Sequence, residues 1–111
     1  MALFKIFKDK TGKYKFFLKS NNNQVIFTSK GYSSKLICFN HIHLIKKFSS
    51  KDDKYERHIS NNNSYFTFKI FKNEVIGVSE IFMNTMLMEN IITLIKINAK
   101  IADIDKVTYS M

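Results

Sequence analysis

A chain of 111 residues, 45% apolar and 14% aromatic, is long enough for one domain that buries about two-thirds of its unfolded surface. It is too short for two ordinary domains and too apolar for a disordered segment. Its single cysteine, Cys38, cannot close an internal disulfide, and no stretch approaches the ~18 uninterrupted apolar residues that cross a bilayer.

The net charge of +9 is unevenly placed. Residues 1–48 hold ten lysines against the one acid Asp9, whereas residues 49–111 balance eight basic against eight acidic side chains. Such a field attracts polyanions, and it also keeps a protein soluble. The opening MALFKIFKDKTGKYK lacks the continuous apolar core of a signal peptide, so a reducing, cytoplasmic location is expected.

With no proline and three glycines, regular elements should dominate, and Asn-rich turns take over glycine's usual work. LFKIFK at 3–8 alternates as a strand does, DKTG at 9–12 signals a turn, and KYKFFLK at 13–19 alternates again. NNN at 21–23 turns the chain into a third strand, QVIFTS at 24–29. From 34 to 47, apolar residues at 36, 39, 42 and 45, broadened by 37 and 44, predict a helix. Ser34 suits its N-cap, and Lys46 and Lys47 suit its C-terminal end. Between strand and helix, Gly31 is expected to supply a positive φ or a bulge, and Tyr32 to pack at the junction.

SSKDDK at 49–54 reads as a polar connector, after which the pattern returns. QVIFTSKGYSSKLICFNHIHLIKK at 24–47 lies over EVIGVSEIFMNTMLMENIITLIKI at 74–97 at a constant offset of 50. Val25 matches Val75, Ser29 matches Ser79, Asn40 matches Asn90 and Leu44 matches Leu94, while Tyr32 faces Phe82. This self-similarity is expected of a tandem duplication: one domain over 1–111, with repeat one at 3–48, a linker at 49–54 and repeat two at 55–107. Asn84 stands where Ser34 caps, and the second helix, about 85–98, is apolar nearly all round and so should be the more buried. IADIDKV at 101–107 predicts a short final strand. The fold class expected is α+β: two β-β-β-α(-β) repeats forming one mainly antiparallel sheet, with both helices on one face.

FKIFKDKTGKYKFFLKSNNNQVIFTSKGYSSK, followed by a helix carrying Asn40 and Ile42, resembles the YegP family of small bacterial proteins, well over 4–47 and more weakly over 55–98. The resemblance implies β-β-β-α-β units, in tandem or as dimers, that merge into one sheet and exchange terminal strands. It implies no activity. The second copy departs from the first where GYSSK is replaced by IFMNT, so Gly31, Ser33 and Lys35 lack counterparts.

Chemical constellations find little support. His41 and His43 lie two apart, about 200° around a helix, and no cysteine or carboxylate cluster joins them, so no metal site is expected. His58, in YERH, has no identifiable nucleophile partner. Asp52 and Asp53 match no calcium loop, and three scattered glycines make no phosphate loop. Met83, Met86 and Met88 read as core filler. Neither catalysis, a cofactor, a small-molecule site nor a membrane span is expected.

One surface rises above this background. Two-residue alternation places Phe4, Ile6, Phe16, Leu18 and Ile26 on one face of the first three strands. The opposite face then carries Phe7, Phe17 and Phe27 among Lys5, Lys15 and Lys19, with Lys35 near by on the helix. Three readings are open to that face. It can cover a protein partner or a second copy, it can bind single-stranded nucleic acid by stacking bases on rings and phosphates on lysines, or its rings can be ordinary exposed apolar residues among long lysine stems.

Overall fold

The computed structural model describes residues 1–110. Strands β1 (Leu3–Lys8), β2 (Tyr14–Lys19) and β3 (Val25–Thr28) lead into helix α1 (Lys35–Phe48). A 3-10 turn (Asp52–Lys54) then opens a second passage of the same order: β4 (Tyr55–Ser60), β5 (Asn63–Ile70), β6 (Glu74–Val78) and helix α2 (Thr85–Asn98), closed by β7 (Asp103–Ser110). This is the expected α+β class with a twofold β-β-β-α succession.

Local chemistry places these boundaries. Asp9 accepts hydrogen bonds from the backbone N–H groups of Thr11 and Lys13 and from the Thr11 hydroxyl, closing the β1–β2 turn around Gly12 at φ +85°. Asn23 and Asn62 adopt positive φ in the turns after β2 and β4, as asparagine tolerates. Ser34 and Asn84 cap the two helices by accepting the N–H of Ile37 and Leu87. Gly31 does not have the positive φ expected of it. A Cβ there would lie 3.1 Å from the Lys13 side chain, a tight contact.

The sheet is not the single one expected. Hydrogen bonding gives a four-stranded sheet in the order β3-β2-β1-β7 and a separate three-stranded sheet, β4-β5-β6. Each unit carries a bulge, between Leu18 and Lys19 against β3 and between Phe68 and Lys69 against β6, so Ile26 and Ile76 are inserted residues. The bulges shorten and bend β3 and β6. Where these two strands meet they share one backbone bond, from Lys30 N–H to the Ile76 carbonyl at 2.8 Å, instead of a ladder. β7 runs from the end of α2 back to the first unit and pairs parallel to β1, leaving β4 as an edge.

One core joins everything. Phe4, Ile6, Phe16 and Leu18 from the first sheet and Phe66, Phe68, Ile70 and Ile76 from the second are buried with Ile42, Ile45, Met88 and Ile92 of the helices. α1 packs on β1 and β2, and α2 packs on β5 and on β3 of the other unit. Phe27 meets Phe68 edge-on at 6.1 Å across the seam. Burial of a large apolar side chain contributes about 1.5–3 kcal/mol, so this shared core is what binds the two units. Helix α2, expected to be the more buried, buries Met88, Ile91, Ile92, Ile95 and Asn98 where α1 buries Cys38, His41, Ile42 and Ile45, and it still exposes Met86, Leu87 and Ile97 because only one side of it meets a sheet.

Candidate functional site: the outer face of the four-stranded sheet

The face opposite the helices takes its side chains from alternate positions of β1, β2 and β7. Lys5 stands between Phe17 and Asp105, Phe7 between Lys15 and Tyr109, and Leu3 between Lys19 and Asp103. Five of the seven predicted contact residues, Lys5, Phe7, Lys15, Phe17 and Lys19, therefore do share one surface.

Two do not. Phe27 is 3% exposed and belongs to the core. The inserted Ile26 shifts the register so that Phe27 pairs with the inward-facing Leu18, and simple alternation puts it on the wrong side. Lys35 lies on the first turn of α1, where its ammonium donates to the Lys106 carbonyl at 2.9 Å.

The geometry of the face is compact. The Phe7 and Phe17 rings are 5.5 Å apart and tilted, and Phe7 is 9% exposed. The Lys19 ammonium sits 5.5 Å from the Phe17 ring centroid and that of Lys5 sits 5.1 Å from the Tyr109 ring. Lys15 reaches Asp9 at 3.7 Å. The Tyr109 hydroxyl donates to Asp105 at 2.6 Å, which holds that carboxyl below its usual range and raises the phenol. Rings and lysines are thus largely paired with one another.

Sequence reading missed the acids and the third ring. Asp103, Asp105 and Tyr109 arrive on β7, whose partner β1 is about a hundred residues away in the chain. The alternation of DIDKVTYS was the available signal, and the final strand runs to Ser110 and not to 107.

Other polar groups serve the architecture. Tyr32 and His41 are buried, with the Tyr32 hydroxyl 2.8 Å from His41 Nδ1 and Glu74 of the second unit 3.7 Å from Nε2. Burial lowers the imidazole's pKa, opposed by Glu74 and assisted by Lys30. Burial also pushes the Cys38 thiol up to about 12 and raises the Tyr32 phenol. Asp52, expected in a polar connector, binds Arg57 and Lys96, which hold its carboxyl down at about 2, and Arg57 also grips Glu89 of α2. His58 stacks on Tyr65 at 4.4 Å on the outer side of the second sheet and touches Thr67 and Glu56. Among the described residues, no three His, Cys, Asp or Glu side chains gather as metal ligands would, and no helix is long and apolar enough to cross a membrane.

Comparison with known proteins places this geometry in a family. A domain of unknown function, DUF1508, matches residues 9–56. A UPF0339 protein of Acinetobacter baylyi is 33% identical over 106 residues, covering 95% of this chain and 96% of its own. The chain belongs to the UPF0339, or YegP, family. YegP of Yersinia pestis is 37% identical over 93 residues, 81% of this chain and 83% of that one. The solution structure of Escherichia coli YegP, itself described as a protein of unknown function, superimposes with a TM-score of 0.88 at 25% identity, covering 98% of this chain and 93% of that one. The YegP fold is thereby shared, and these relatives are proteins of unknown function.

Proposed function

We propose that this YegP-family chain is a non-catalytic, intracellular protein-interaction module whose recognition surface is the outer face of its four-stranded sheet. The observation that carries this reading is the paired state of the face. Phe17 and Tyr109 already hold lysine ammoniums, Phe7 is nearly covered, and β7 adds two carboxylates. A single-stranded nucleic acid needs free ring faces and unopposed lysines, whereas a protein surface accepts a mixed field of stems, rings and both charges.

Nucleic-acid binding is the second reading, favoured by the excess of nine positive charges within residues 1–48. A photo-crosslinking residue placed at Lys19 and, as a control, at Lys10 in the β1–β2 turn separates the two in living cells. A discrete protein adduct from position 19 alone, weakened by Phe17→Ala and retained in Lys15→Glu, supports the module. An adduct to nucleic acid, or equal labelling from both positions, overturns it.

A further inference from the structure

A groove of about 350 Å³ opens between the first turn of α1 and strand β7, lined by Lys35, Leu36, Phe39 and Lys106. Leu36 is 68% exposed, so an aliphatic side chain is offered to solvent. Phe39 is partly buried against the core, with the His43 ring edge-on at 4.8 Å. The Lys106 ammonium stands 5.8 Å from the Phe39 ring, and that of Lys35 is hydrogen-bonded to a neutral carbonyl.

Among the described residues, neither ammonium has a carboxylate within salt-bridge distance, unlike Lys15, Lys69 and Lys96. Asp105, the neighbour of Lys106, is held on the other side of the strand by the Tyr109 hydroxyl and the Val107 N–H. The second unit does not repeat this lining. The residues equivalent to Lys35, Leu36 and Phe39 are Thr85, Met86 and Glu89, where Glu89 is bound by Arg57 and, among the described residues, no strand pairs with the outer edge of β4 to form a second wall.

We propose that this groove binds an acidic amphipathic segment of another protein. A leucine- or phenylalanine-like side chain lies on Leu36 and Phe39, and flanking carboxylates take the ammoniums of Lys35 and Lys106, which have no carboxylate partner among the described residues. Charge complementarity selects this occupant: an acidic segment is drawn to the basic half of the molecule and supplies the two missing counter-ions. A nucleic acid would satisfy the ammoniums and leave the Leu36 surface in water. The site is separate from the outer sheet face and stands or falls without it.

The test is an NMR titration of the 15N-labelled full chain with an amphipathic peptide of leucine and glutamate, beside the same peptide with serine for leucine. Saturable shifts centred on residues 35–40 and 104–107 are expected, with a Kd below about 1 mM. Binding should weaken about tenfold in Lys35→Glu/Lys106→Glu, two exposed positions, in a variant whose amide spectrum otherwise matches the parent's, and also in Leu36→Ser. No saturable shift, or shifts centred on Phe7 and Phe17, overturns the proposal. So does equal affinity for the serine peptide, which would mean charge alone. Displacement of the peptide by phosphatidylglycerol vesicles at lower concentration also overturns it, in favour of a lipid surface.

Discussion

The ring of Phe27 occupies the space that a side chain at position 77 would need: a Cβ on Gly77 would lie 2.6 Å from Phe27 Cζ and 2.6 Å from the Thr28 carbonyl oxygen. The two positions are equivalents, fifty residues apart, so one unit contributes the large residue and the other the vacancy. Gly77→Ala should therefore destabilise by about 1–3 kcal/mol through overpacking. Phe27→Leu in the same chain should recover part of that loss, because a smaller side chain frees the contact even as it leaves a gap. Urea unfolding of the two single variants and the double variant checks this as a non-additive cycle.

Ser29 and Ser79 hold the same position in the two units and do the same work. Each hydroxyl accepts the N–H of Phe16 or Phe66 at 2.9 Å and donates to the carbonyl of the following residue at 2.8 Å. Ser29→Ala leaves a buried N–H without its side-chain partner and should cost about 1–3 kcal/mol, read as a lowered urea midpoint. Ser79→Ala should follow it at the lower end of that range, since its bond is only partly buried.

His41 gives stability a pH dependence. Its folded pKa is lowered, by burial first and Lys30 second against the pull of Glu74, so the folded protein holds fewer protons on it than the unfolded chain does. The contribution is fully present above the unfolded pKa of about 6.5 and is lost as pH falls from there toward the folded value. Tyr32, Lys30 and Glu74 are the other titratable groups facing it. The midpoint of urea unfolding should fall between pH 7.5 and pH 5, and His41→Gln should flatten that slope. An unchanged slope would show that the ring titrates alike folded and unfolded.

Arg57 stands on the free edge strand where Ile6 stands in β1, and its guanidinium is tied to Asp52 and Glu89. A charge turned toward the interior of an edge strand is a known guard against edge-to-edge pairing. Arg57→Leu should leave Asp52 and Glu89 without this partner and promote association through β4. Sedimentation should show larger species rising with concentration in the variant and not in the parent chain.

Strands, helix caps and the twofold succession were legible because they depend on local chemistry: alternation in LFKIFK, Asp9 in its turn, Ser34 and Asn84 at the helix starts. The core face also read correctly at Phe4, Ile6, Phe16, Leu18 and Ile26, all of them buried. Failures begin where one inserted residue or a distant partner decides. Phe27 was placed on the outer face because alternation cannot see the bulge at Ile26. Asp103, Asp105 and Tyr109 were missed because β7 pairs with the other end of the chain. The contact of His41 with Glu74 joins two units that local patterns treat separately.

The outer sheet face is proposed to recognise protein and not nucleic acid. The most direct test is fluorescence polarisation with labelled single- and double-stranded DNA and RNA at two salt concentrations, comparing the parent chain with Lys15→Glu/Lys19→Glu. Weak binding at low salt that vanishes at about 150 mM is expected, as for non-specific phosphate contacts. Micromolar binding that prefers single strands, persists at that salt and is abolished by the charge reversal would contradict that proposal.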